Sequence, residues 1–236
     1  MKTILQVTHP CRIPAVISAA LVLAFVGFGN VAAAVSIRFL PIDDEMAARK
    51  IGLQDGKGLT ELKDLNPKKR SKAYDCLPGD VVPSLVALDR ERPGGNPLSV
   101  DLVLPDGIKS PLVLLFADEE QRSGIRVVVL EDAVTGFPWG SLRFVNTAQK
   151  PLMIRCDKET FAIAESPAKI DIQPGGEARN IGVQLFSEQE PDEVLYSAVW
   201  EHDDHLRKII FIVPHADPAA KELKLEIIPQ DKRAED

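Results

Sequence analysis

The 236 residues carry 35 acidic against 28 basic side chains, a formal net charge of −7, and 45% of them are hydrophobic. An acidic chain argues against a nucleic-acid or anionic-surface partner, because phosphate binding depends on Lys and Arg neutralising charge. The apolar content is enough to fill one large core or two smaller ones.

The first 34 residues read as an export signal. Lys2 and Arg12 give a positive start, residues 13–28 are a nearly unbroken apolar run, and Asn30-Val31-Ala32-Ala33-Ala34 supplies small residues where a signal peptidase reads. Cleavage is expected after Ala34; the alternative is an uncleaved anchor, since residues 13–34 are just long enough to span a bilayer. Removing the leader takes Lys2 and Arg12 with it and no acid, which leaves 202 residues with 26 basic against 35 acidic side chains, a net −9. Cys11 lies ahead of the apolar run, the wrong place for a lipoprotein cysteine. Cys76 and Cys156 remain, in different halves, as two separate thiols or a bridge that an oxidising compartment permits.

Beyond the leader, short apolar runs rich in Val, Ile, Leu and Phe stop at Pro, Gly, Asp or Asn, the pattern of strands. Residues 35–40 open the series. Asp43 to Lys50 is the best short-helix candidate, followed by a strand over 50–54 and a hairpin at Asp55-Gly56-Lys57-Gly58. Lys68, Lys69, Arg70 and Lys72 form the one basic cluster, read as a solvated loop. Pro78-Gly79 marks a type II turn and Pro93-Gly94-Gly95-Asn96-Pro97 a longer loop. Strands are expected over 98–104, 112–117 and 125–130. Residues 131–140 then interrupt the pattern, and strands resume at 141–145, 194–200 and 208–213, with a second Pro-Gly turn at Pro174-Gly175. Val194, Tyr196, Ala198 and Trp200 fall on one face of their strand. The acidic segment 189–193 and the tail 230–236 read as a loop and a frayed end.

The two halves repeat one order of elements. Ser36-Ile37-Arg38-Phe39-Leu40 matches Ser141-Leu142-Arg143-Phe144-Val145. Residues 74–80 match 170–176 at an offset of 96, and the same offset pairs 98–104 with 194–200 and 113–116 with 209–212. Such a unit is the size at which two sheets face each other around one core. The expected fold is therefore all-β: two tandem Ig-like antiparallel β-sandwiches after a cleaved signal peptide, with a leader 1–34, one sandwich over 35–132 and another over 139–230. The joining segment is short and apolar, so the two are expected to pack on each other, with Phe137 and Trp139 at the interface.

Glu201-His202-Asp203-Asp204-His205 is the densest set of metal-ligand types. His202, Asp203, Asp204 and His205 could hold Zn²⁺ or a similar cation, but the group joins two apolar runs and reads equally as a solvated turn. Trp139 and Trp200 invite a carbohydrate-stacking reading, against which both suit a core edge or a seam. The sequence carries no Gly-x-Ser-x-Gly, no His-Glu-x-x-His, no phosphate loop and no dinucleotide fingerprint. The expectation is an exported, non-catalytic protein without a cofactor, in the periplasm, at the cell surface or outside, that works by contact with another protein or envelope component. The alternatives are a metal- or carbohydrate-binding module and an envelope hydrolase with two acids converging in a cleft between the halves.

Overall fold

The computed structural model describes residues 34–77, 82–90, 98–190, 192–215 and 223–234. The leader through residue 33, the Pro78-Gly79 turn and the 93–97 loop lie outside the described residues.

The first half forms β1 (Val35–Pro41), α1 (Asp44–Ala48), β2 (Ile51–Asp55), β3 (Gly58–Glu61), β4 (Tyr74–Cys76), β5 (Ser84–Ala87), β6 (Leu98–Asp101), β7 (Pro111–Ala117) and β8 (Ile125–Glu131). The second forms β9 (Leu142–Asn146), β10 (Leu152–Cys156), β11 (Glu159–Ile163), β12 (Ala168–Ile172), β13 (Arg179–Ser187), β14 (Val194–His202), β15 (Leu206–Pro214) and β16 (Leu223–Asp231), closed by one 3-10 turn, Lys232–Ala234. Asp43 accepts a hydrogen bond from the Met46 amide at 2.8 Å and so caps α1. Met46, fully buried, anchors that single turn on the core.

Each half is a pair of four-stranded sheets. The orders are β3-β2-β5-β6 and β4-β1-β7-β8 in the first, and β11-β10-β13-β14 and β12-β9-β15-β16 in the second. Every strand of the first half thus has its counterpart eight strands later, in the same place and pairing. The chain is all-β, with two tandem sandwiches. The sheets are antiparallel as expected except at one pair in each sandwich, where β1 runs parallel to β7 and β9 parallel to β15. The chain reaches that geometry because five strands, crossing between sheets, separate β1 from β7, and the same holds for β9 and β15.

The offset also needs correction at the central strands. Phe39 lies opposite Val113, and its counterpart Phe144 lies opposite Ile210, an offset of 97 rather than 96. A one-residue slip exchanges the two faces of a strand, and the buried clusters show which face is which. Val113 and Leu115 point into the first core with Ile37, Phe39 and Ile125, while Ile210 and Ile212 point into the second with Phe144, Leu152 and Val183. The alternate residues Leu112, Leu114 and Phe116 meet Val145, Ile209, Phe211 and Ile228 in a third cluster that contains Phe137. The outer face of the β4-β1-β7-β8 sheet therefore packs on the outer face of the β12-β9-β15-β16 sheet. Four sheets stack in layers around three apolar interiors. The two inner sheets are covered on both sides, which explains why β7 and β15 are continuous apolar runs instead of alternating ones.

The segment 131–140 fills one edge of that seam with charge as well as rings. Arg143, 1% exposed, donates to both Asp171 oxygens at 2.6 and 2.8 Å and to the Glu131 carbonyl at 2.6 Å. Arg70 grips Asp132 at 2.6 and 2.9 Å with both side chains buried. Arg207 donates to the Asp132 carbonyl at 2.8 Å, to the Phe137 carbonyl at 3.0 Å and to Gln230 at 2.8 Å. The Phe137 ring lies against two guanidinium groups, Arg143 at 4.1 Å and Arg207 at 5.3 Å. The basic cluster is an exposed loop at Lys68, Lys69 and Lys72, as expected, but not at Arg70. Arg70 is spent inside the seam, and Lys68 crosses to Glu226 of β16 at 2.8 Å. An apolar seam leaves buried carbonyls that need donors, and arginine supplies several from one side chain.

Candidate functional site: the β14 edge and the turn beside it

Among the described residues, β14 is the last strand of its sheet, bonded to β13 on one side only. Its nine residues alternate about a bulge at Leu185/Phe186. The bulge moves Val194 out to solvent, 48% exposed, and turns Leu195 inward, so the expected face keeps Tyr196, Ala198 and Trp200 but not Val194. Trp200 stacks on Phe144 at 6.0 Å and donates its indole N–H to the Tyr196 hydroxyl at 3.0 Å. It is a core residue with no face free for a sugar.

The hydrogen-bond phase of the edge follows from Gly182. Its amide donates to the Asp157 carboxylate at 2.9 Å, and its carbonyl accepts from the Asp157 amide at 2.8 Å, so both groups point toward β10 and away from β14. Gly182 lies opposite Val199. That pair is therefore a non-hydrogen-bonded one, and Val199 directs its own N–H and C=O to the free side. The period of two assigns the same direction to Ser197 and Glu201. Lys208 confirms the phase at one end, donating to the Glu201 carbonyl at 2.7 Å. β14 approaches β16 of the facing sheet without pairing with it.

This edge is less guarded than the others, with a bulge at Leu195 near one end and the Lys208 ammonium on the Glu201 carbonyl at the other, and nothing of the kind between them. β3, β4 and β6 are four residues or fewer, and β11 and β12 have five. β16 contains Pro229 and places Lys224 and Glu226 outward. β8 carries Arg126 and exposes none of its apolar residues fully. β14 has neither Pro nor Lys, and Val199 stands 71% exposed in its middle. Natural sheets block long edges with short strands, Lys, Pro or bulges because an open row of N–H and C=O groups is a template for another strand. Beside Val199, the sheet face is open at Gly182, where an added Cβ would meet nothing within 4 Å. From there a groove of about 560 Å³ runs between Asp157, Gln173 and Arg179 to the buried Cys156.

The turn after β14 holds the predicted metal ligands, but the structure divides them. Asp203, Asp204 and His205 bring their ligand atoms within 4.8 Å of one another. His205 Nδ1 lies 2.8 Å from Asp204 and 3.2 Å from Asp203. His202 belongs to the strand instead, 2% exposed, with its ring against Gly140. Its Nε2 and the Ser141 hydroxyl are the two buried side-chain atoms without a hydrogen-bond partner among the described residues. The His205 amide, and then desolvation opposed by Arg233 and the His205 ring, leave the Asp203 carboxyl below its usual range. Arg233 already sits 3.1 Å from Asp203, a resident cation in competition with any metal. Trp139 is half-buried under Arg207 at 4.8 Å, one residue before the Gly140 that His202 and Asp204 touch. Trp139 and the turn thus share one end of the second sandwich, while Phe137 lies in the seam.

A second groove, about 590 Å³, has Asp118, Glu119 and Glu120 on one wall and Gln149, Ser166 and Pro167 on the other. Its acids come from one side, and Asp118 is turned to Arg126 at 3.7 Å, so no pair of facing carboxyls flanks it. Burial pushes both thiols up, with Asp55 adding to the effect at Cys76 and Asp157 at Cys156, which makes neither an activated nucleophile.

The lightly guarded edge is not among the sites expected from the sequence. Its signal was present: a seven-residue strand pattern at 194–200 with no Pro or Lys on it. The buried arginines had a signal too, since Arg143 stands between Leu142 and Phe144 in an apolar run. No protein-family model matches this chain, and a search of curated proteins finds no match.

Proposed function

We propose that the chain is an exported, non-catalytic protein that works by contact, and that it makes this contact by accepting a partner's extended segment along β14. The observation that carries the proposal is the row of outward backbone groups at Ser197, Val199 and Glu201, with a lysine on it at the Glu201 carbonyl and a valine 71% exposed at its centre. Strand addition draws its affinity from such main-chain groups and its selectivity from alternate side chains. Support for export comes from the leader sequence, and support for a non-catalytic role from the arrangement of polar groups: the acids and arginines of the seam are engaged with each other.

The test is site-specific photo-crosslinking in the cells that make the protein. A photoreactive residue replaces Val199 in one variant and exposed Thr160 of the far edge β11 in another. Adducts from position 199 alone support the proposal. Equal adducts at both positions, or none at either, overturn it. Val199→Pro supplies the control for fold: the Val199 amide makes no bond to β13, so proline removes the outward donor and leaves the sheet's own ladder intact.

A further inference from the structure

Resting on the β14 reading, we infer that the segment this edge accepts is β14 of a second copy of the same chain, paired antiparallel with the two-fold axis at Val199.

The geometry of the edge is self-complementary in one register. An antiparallel partner must set outward-facing residues against outward-facing residues, which restricts the pairing to Ser197, Val199 and Glu201 of each copy. With the axis at Val199, the two Val199 side chains oppose each other, and Ser197 of each copy opposes Glu201 of the other. The serine hydroxyl is then a donor for the carboxylate. Moving the axis to Glu201 sets two carboxylates against each other, and like charges directly opposed destabilise a sheet. Moving it to Ser197 brings Glu201 to Glu193 and drives the bulged Leu195 into the ladder. Moving it midway to Ala198 or to Trp200 pairs Val199 with Ser197 or with Glu201, so neither valine gains an apolar neighbour. The Val199 register alone joins valine to valine and keeps all the acids apart. A two-fold contact of this kind is isologous and closes after two copies.

The chain gives a reason for it to be reversible. The contact is narrow, one strand edge with three facing residue pairs, at the low end of interface size where complexes are weak and transient. An acidic chain, −7 overall, repels its own copy at long range. Pairing is therefore concentration-dependent and strengthened by salt.

Cysteine trapping reads the register directly. Opposed residues of a hydrogen-bonded antiparallel pair have Cα atoms about 5.5 Å apart, inside the disulfide range. Val199→Cys is expected to form a covalent dimer under mild oxidation. Ser197→Cys alone is not, because its own copy lies about 14 Å away, four residues along the strand, but Ser197→Cys mixed with Glu201→Cys is expected to give the mixed dimer. Sedimentation of the wild-type chain should show a monomer–dimer equilibrium that weakens roughly tenfold or more in Val199→Lys. The two Val199 substitutions lie on an exposed side chain with no ladder bond to lose, and circular dichroism checks that they and the cysteine variants at 197 and 201 fold. A chain that stays monomeric, or that traps Ser197→Cys as readily as Val199→Cys, overturns the self-pairing. In that case a photo-adduct from position 199 to a different polypeptide keeps the edge reading alive, and no adduct removes both.

Discussion

Replacing Phe137 by alanine tests whether the two sandwiches share an interior. The ring is fully buried in the cluster that joins Leu112, Leu114 and Phe116 to Val145, Ile209 and Phe211. Truncating a buried phenylalanine costs about 3–5 kcal/mol in lost transfer energy and cavity. The two guanidinium groups on its faces, at 4.1 and 5.3 Å, add about 1 kcal/mol. The sum, about 4–6 kcal/mol, corresponds to a fall in Tm of roughly 10–20 °C for a body of this size. Calorimetry should show the loss together with a broadened or split transition, because each sandwich keeps its own core when the seam is weakened. Trp139→Ala, two residues further along the same segment but half-buried, is the comparison and should cost less than half as much. A Phe137→Ala variant that melts within 4 °C of wild type in one sharp transition would refute the shared interior.

Asp132→Ala leaves Arg70 and Arg207 buried without their carboxylate and should cost about 3–5 kcal/mol in urea unfolding, whereas Glu119→Ala, an 83% exposed partner of Arg90, should cost under about 1 kcal/mol. Acid should loosen the seam. Burial raises the Asp171 carboxyl, but the Arg143 hydrogen bonds and charge outweigh it, and Lys224 and Lys68 hold down Glu226, so both titrate lower in the fold than in the unfolded chain. Depressed acids stabilise the fold above the unfolded carboxylate range and lose that contribution as pH falls through the folded values. Tm should thus be level between pH 7 and 5 and fall below about pH 4; a fall that begins near pH 6 would contradict the assignment. Cys76 and Cys156 are free and buried, with thiols raised by desolvation, so a thiol reagent at pH 8 should label neither in the native chain and both after unfolding.

Strand existence was legible in the sequence because each short apolar run ends at a turn residue whose backbone preference is local. The repeated order was legible for the same reason, and α1 as a short-helix candidate over residues 43–50. Layering was not. It depends on which side of β7 and β15 faces the neighbour, and a one-residue slip in the assumed offset reverses that choice while leaving the letters equally well matched. Lys68, Lys69 and Lys72 are exposed as a solvated run should be, but Arg70 is not, because nothing local reveals Asp132, more than sixty residues away. The ligand types of 202–205 were legible as a cluster, but strand alternation sends His202 inward, and sequence spacing does not report where a strand ends and its turn begins.

Hydrogen exchange along β14 tests the edge most directly. In dilute protein the amides of Ser197, Val199 and Glu201 should exchange quickly while those of Ala198, Trp200 and His202, bonded to β13, exchange slowly, and the fast set should become protected as concentration rises. Uniform protection of all six amides at every dilution, or fast exchange at Ala198 and Trp200, would contradict the open edge on which the proposed contact depends.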